Sequence, residues 1–296
     1  MEYIIQTKSL TKKYGNKIAV DKISLNVRKG DIYGLIGKNG AGKTTLMKLL
    51  LGLTFDNGGE MKLFGSTSLE KERIRIGALI ESPAFYKNET AFENLKRFSI
   101  LSPTSDEEIH NILKLVGLTN TGKKKVGAFS FGMKQRLGIA IALLGKPELL
   151  ILDEPINGLD PSGIKEIRDI ILDLNTKGVT FLISSHLLDE LGKIATNYGI
   201  VANGKLVEEI TSVELEEKCR TSLKINVDNA QKAISIISKK YPEMKLEHQD
   251  NIIRIISVVE DSSVIVEMLV KKGVKVYEVR NETQCLEDFF IERMGK

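Results

Sequence analysis

The sequence predicts a layered α/β fold built on a mainly parallel sheet, followed by a small α+β domain, and three observations carry that prediction. Ile32–Ile36, Leu149–Leu152 and Val179–Ser184 are short, almost uninterrupted apolar runs, as expected of strands covered by helices on both faces. Amphipathic stretches separate them, the alternation that a layered domain requires. After about residue 220 the rhythm restarts: SLKINV, AQKAISIISKK, MKLEH, NIIRIISV, SSVIVEMLVKK and VKVYEV read as strand, helix, strand, strand, helix, strand, a ferredoxin-like order. QCLEDFFIERM adds one more helix. The boundaries predicted are 1–218 for the first domain and 219–296 for the second. Within the first, TAFENLKRFSI, DEEIHNILKLVGL and MKQRLGIAIALLG carry apolar residues at three- and four-residue spacing, which predicts a helical subdomain at about 90–146.

Composition narrows the class. With 42% hydrophobic and 28% charged residues the chain can bury a globular core. Its net charge of +4 comes from 43 basic and 39 acidic residues spread along the sequence, so a polyanionic partner is not required. The two cysteines, Cys219 and Cys285, are far apart and outside any CxxC spacing. That argues against a disulfide framework or a zinc site and for a reducing, cytoplasmic setting. MEYIIQTKSLTKKYG lacks the basic start and apolar stretch of a secretory signal, so the expectation is mature protein from residue 1. No apolar run approaches the roughly 18 residues needed to cross a bilayer; membrane work would need a partner.

Strand ends in a parallel sheet converge on the ligand side, and the residues there carry chemistry. GLIGKNGAGKTTLMKLLLGL contains GxxxxGK[ST] as Gly37, Gly42, Lys43 and Thr44, between an apolar strand and a helix. The backbone from Gly37 through Lys38, Asn39, Gly40, Ala41 and Gly42 can offer several N–H groups to phosphate oxygens, aided by the positive end of the helix that follows. Lys43 reaches the β- and γ-phosphates of ATP, Thr44 holds Mg2+ through its hydroxyl, and Thr45 bonds the phosphates from the same turn. LLILDEP ends its strand on Asp153 and Glu154. Two adjacent acids at an apolar strand end need a compensating cation. Mg-ATP supplies one, with Asp153 orienting the metal and Glu154 polarising the attacking water as general base.

With these elements in this order, residues 1 to about 210 resemble the ABC ATPase family, a P-loop NTPase cassette. The resemblance implies a mainly parallel sheet core, an N-terminal antiparallel β part and a helical subdomain. FSFGMKQR, at 129–136, is similar to the family signature LSGGQ. It implies that Ser130 and Gly132 contact the γ-phosphate of ATP held by a second subunit, while Phe131 and Met133 depart from the pattern. NGLDP resembles the D-loop, implying a dimer-interface role for Asp160. His186 corresponds to the switch histidine beside the γ-phosphate, Tyr14 to the aromatic that stacks on adenine, and Val20 to the wall of the base pocket. Two copies are therefore expected to pair head to tail around two ATP molecules and to drive a multi-span permease on a separate chain, from the inner face of the membrane.

Glu81, in GALIESPAFY, stands where most of the family carries glutamine in the loop that links nucleotide site to permease. A carboxylate there could ligate the metal. It resembles the variant loop of lantibiotic-immunity ATPases, and GMKQRLGIA with LEDFF resembles the bacitracin-resistance-type group, which narrows the cargo to amphiphilic antimicrobial peptides. The competing reading is a soluble ABC ATPase acting on ribosomes or nucleic acid. The single cassette and the lack of an arginine-rich patch count against it, so no nucleic-acid partner is expected. For the second domain, helices rich in Ile and Val favour packing or dimerisation over ligand sensing.

Overall fold

Apolar runs with polar termini become strands when helices can cover both faces, and in a computed structural model of the chain they do. The structure describes residues 2–81, 84–218, 221–255, 261–283, 290 and 293. Cys219, Cys285 and most of QCLEDFFIERM lie outside the described residues. The elements are β1 (Tyr3–Tyr14), β2 (Lys17–Ile23), β3 (Asn26–Arg28), β4 (Ile32–Ile36), α1 (Lys43–Leu50), β5 (Gly58–Leu63), α2 (Leu69–Arg73) and β6 (Ile76–Leu79). There follow α3 (Ala91–Phe98), α4 (Asp106–Leu115), α5 (Phe131–Ala142), β7 (Leu149–Asp153), α6 (Pro161–Thr176), β8 (Thr180–Ser185), α7 (Leu188–Gly192), β9 (Asn197–Ala202), β10 (Lys205–Thr211) and α8 (Ser212–Lys218). The last six are β11 (Thr221–Val227), α9 (Ala230–Lys240), β12 (Leu246–Gln249), β13 (Ile252–Ile255), α10 (Ser262–Lys271) and β14 (Val276–Thr283).

The chain divides into two units, 1–212 with 292–296, and 213–291. In the first, a six-stranded sheet runs β10-β9-β4-β8-β7-β6. Its β9-β4-β8-β7-β6 part is parallel, and β10 joins the edge antiparallel. β4, β7 and β8 are buried at every residue. A separate antiparallel sheet of β2-β1-β3, with β5 on β1, seals one side of a core containing Val20, Leu25, Leu35, Leu46, Met47, Ile151 and Leu182. Burying an aliphatic side chain contributes about 1.5–3 kcal/mol, so this layer anchors the strand ends that bear the site.

The helical stretch begins at two capping boxes. Thr90 accepts from the N–H of Glu93 while Glu93 accepts from the N–H of Thr90, and Ser105 and Glu108 do the same. Such reciprocal bonds satisfy two orphan donors at each start.

The second unit has an antiparallel sheet of order β12-β13-β11-β14, and β11, α9, β12, β13, α10 and β14 follow one another along the chain. Ile225, Val227, Ala233, Ile237, Ile253, Ile255, Ile265 and Leu269 form its core. Alternation along β11 and β13 turns Lys224 and Arg254 to the other face. His248 is exposed.

Candidate active site

Three neighbouring parallel strands bring the site together. β4 pairs with β8 so that Ile36 lies opposite Ser185, and β7 pairs with β8 so that Asp153 lies opposite Ser184. Their carboxyl ends therefore open on one edge, which carries the loop 37–42, Asp153 with Glu154, and His186.

The loop needs its glycines for space and for backbone sign. A Cβ on Gly37 would lie 2.3 Å from the carbonyl oxygen of Val201, and one on Gly42 would lie 2.3 Å from that of Ala19. Gly40 and Gly42 have φ of 81° and 110°, where L side chains are strained. Gly42 then begins α1 without a side-chain cap, leaving the first N–H groups of the helix directed toward the loop. A cavity of about 250 Å3 is lined by Tyr14, Lys17, Ala19, residues 38–45 and Glu154. Tyr14 is half exposed, with the Lys12 ammonium 4.8 Å from its ring centre.

Val20 does not line this cavity. It is fully buried in the core, while Ala19 and Lys17, on the same bulged strand, line the cavity wall.

Thr44 Oγ1 donates to Asp153 Oδ2 at 2.8 Å, and Ser184 Oγ donates to Asp153 Oδ1 at 2.5 Å. Ser184 Oγ also accepts from the N–H of Glu154 at 2.9 Å. Asp153 is thus buried yet satisfied on both oxygens. Glu154 Oε2 lies 2.8 Å from Nδ1 of His186 and accepts from its backbone N–H at 3.3 Å. Glu154 Oε1 sits 3.3 Å from Nζ of Lys43, and it is buried without a hydrogen-bond partner. Lys43 Nζ donates to the Gly37 carbonyl at 2.6 Å, which keeps the ammonium at the loop.

The remaining predicted residues lie elsewhere on the first unit. Ser130 is the N-cap of α5, accepting from the N–H of Met133 at 3.2 Å, and Gly132 is in the first turn. Neither lines the cavity of its own chain. Asp160 caps α6, accepting from the N–H of Gly163 at 3.0 Å. Glu81 is exposed, and its carboxylate accepts from Lys48 Nζ at 2.6 Å. Sequence reasoning missed Ser184, Lys48, Lys17 and Ala19. Ser184 had a signal, a hydroxyl at the end of an otherwise apolar strand, and Lys48 another, one helical turn beyond Thr44.

Residues 20–157 match the family model described as ABC transporter. The chain is 42% identical to the bacitracin transport ATP-binding protein BcrA of Bacillus licheniformis, covering 100% of this chain and 98% of that one. The chain belongs to the ABC transporter ATPase family. The corresponding BcrA of Enterococcus faecalis is 41% identical over 100% of this chain and 97% of that one. The lantibiotic transport ATP-binding protein SrtF of Streptococcus pyogenes is 43% identical over 70% of this chain and 90% of that one. Among solved structures, a nucleotide-free ATP-binding cassette from an ABC transporter superposes with a TM-score of 0.66 at 28% identity, over 71% of this chain and 92% of that one. As an ABC ATPase the chain binds and hydrolyses ATP to power a membrane permease. Among the described residues no helix is long and apolar enough to cross a membrane.

Proposed function

We propose that ATP binds in the cavity over the phosphate loop and is hydrolysed with Glu154 as general base, His186 holding the attacking water in line, and Lys43 neutralising phosphate charge. The observation that carries this reading is the Glu154 carboxylate. One oxygen is fixed by His186, and the other, buried and ion-paired with Lys43 at 3.3 Å, carries no hydrogen bond, which leaves it as the oxygen to accept a proton from water. Tyr14 would stack on the base, and Thr45 and the N–H groups of residues 38–42 would bond the phosphates.

Thr44 and Asp153 would hold Mg2+, which when bound supplies charge neutralisation at the phosphates. Their donors fit that ion: a hydroxyl and one buried carboxylate, hydrogen-bonded to each other, are the sparse hard-oxygen set that Mg2+ completes with water and phosphate oxygens.

Ser130 and Gly132 stand at an exposed helix start apart from their own cavity. This favours a head-to-tail pair in which they meet the γ-phosphate bound by the other copy, with Asp160 at the interface. The permease is a separate multi-span chain, and the ATPase works at the inner face of the membrane. The names of the relatives favour amphiphilic antimicrobial peptides as cargo, for export or immunity. Co-expression with candidate permeases should raise resistance to bacitracin or a lantibiotic, and Glu154→Gln should abolish the gain. Recovery of the native protein on ribosomes, with no permease and no protection, would sink this reading.

A further inference from the structure

Lys48 lies four residues beyond Thr44 on α1, and residues so spaced share a helix face. Its ammonium is 2.6 Å from Oε1 of Glu81. Glu81 has φ of 57°, a left-handed backbone that a non-glycine residue keeps only when its surroundings hold it. It lies just beyond β6, the sheet neighbour of β7, whose last residue is Asp153. The hydrogen bond to Glu81 is the main influence that tightens the hold of Lys48 on its proton, and the charge of Asp153 adds to it. On α1 a positive charge thus stands one helical turn beyond Thr44, on the same face, and one carboxylate cancels it.

We propose that Lys48 is a positioning residue that, through its ion pair with Glu81, sets the affinity of the ATP site for its divalent cation. This rests on the ATP-and-metal reading of the cavity. The pair is neutral as a unit, so removing either member changes the field at Thr44 and Asp153 by one charge, with opposite sign. Losing Lys48 leaves an uncancelled carboxylate, which attracts the cation. Losing the Glu81 charge leaves an uncancelled ammonium, which repels it. Side-chain exposures of 32% for Lys48 and 65% for Glu81 mean that water and salt screen the effect. A change of about three- to tenfold in each direction is expected at low ionic strength.

The test is Mn2+ titration of the full chain with a non-hydrolysable ATP analogue, followed by electron paramagnetic resonance. Lys48→Gln should tighten Mn2+ binding, Glu81→Gln should weaken it, and the double variant should return close to wild type. Lys48→Arg keeps the pair and should resemble wild type. Weakening in both single variants, as loss of structure alone would produce, overturns the proposal, as do unchanged dissociation constants in a chain that binds Mn2+ normally. A wild-type chain that binds no Mn2+ with the analogue would overturn the ATP-site reading along with it.

Discussion

His186 Nδ1 lies 2.8 Å from Oε2 of Glu154, and this contact ties the end of β8 to the end of β7 through a single carboxylate. The other oxygen of that carboxylate faces Lys43 at 3.3 Å, so three separate segments meet on Glu154. Replacing it by glutamine keeps the shape and removes the base. Glu154→Gln should bind ATP with turnover lowered by about 10²-fold or more, accumulating as an ATP-bound dimer on size exclusion. His186→Ala should fall in the same direction, and the double variant should lose little beyond the worse single one, because residues acting as a unit are not additive. Normal turnover by Glu154→Gln would remove Glu154 from the base role.

Gly42→Ala tests the close packing of the phosphate loop. The new Cβ would meet the Ala19 carbonyl at 2.3 Å, at a φ of 110°. A strained backbone costs about 1–3 kcal/mol, and relief requires the loop to move away from β2. Calorimetry should find ATP affinity lost by at least tenfold with the far-ultraviolet spectrum unchanged. Retained affinity would mean that the loop tolerates a side chain there.

Ser130 can be separated into its two roles by charge. Ser130→Ala removes the cap bond to Met133 and should cost about 1 kcal/mol of stability. Ser130→Asp retains a capping acceptor but turns a negative charge toward the position proposed for the γ-phosphate of the other copy. Thermal melting should rank the aspartate variant above the alanine one, while ATP-driven dimerisation should rank it below. The same order in both measurements would leave Ser130 as a cap alone.

Arg75 donates to Glu148 at 2.8 Å and to Glu72 at 2.7 Å, with its guanidinium 3.7 Å from the centre of the Phe64 ring. The hydrogen bond from Arg75 holds the Glu148 carboxyl below the usual carboxylate range. A group depressed in the folded state stabilises above its unfolded pKa, and that contribution is lost as pH falls through the folded value. Glu148→Gln should therefore melt about 2 °C lower than wild type at pH 7, and the two should converge in acid, below the ordinary glutamate pKa. A pH-independent gap would assign the effect to packing.

Much of the first unit was legible because β4, β7 and β8 are buried on both faces and so read as apolar runs ending at polar residues. Phosphate-loop spacing was equally visible, since Gly37 and Gly42 answer to local geometry that no other residue satisfies. The setting of Val20 in the core and of Ala19 on the cavity wall was not legible, because β2 is short and bulged and a family pattern does not carry that register. The Lys48–Glu81 pair was out of reach for a different reason: it joins a helix to a loop 33 residues later, and no periodicity links the two. Ser184 belongs between these cases, recognisable as an odd hydroxyl but assignable to Asp153 only through the parallel register of β7 and β8.

Glu154 has φ of 49°, in a region where residues with a Cβ are disfavoured. Its backbone is held there by Ser184, which accepts from its N–H. The position is therefore one at which glycine would relax the chain and only a carboxylate can serve the proposed chemistry. Laboratory selection for heat resistance alone is expected to replace Glu154 readily, giving hardy but inert proteins, whereas selection that also demands ATP hydrolysis should keep the strained residue and find its stabilising changes elsewhere.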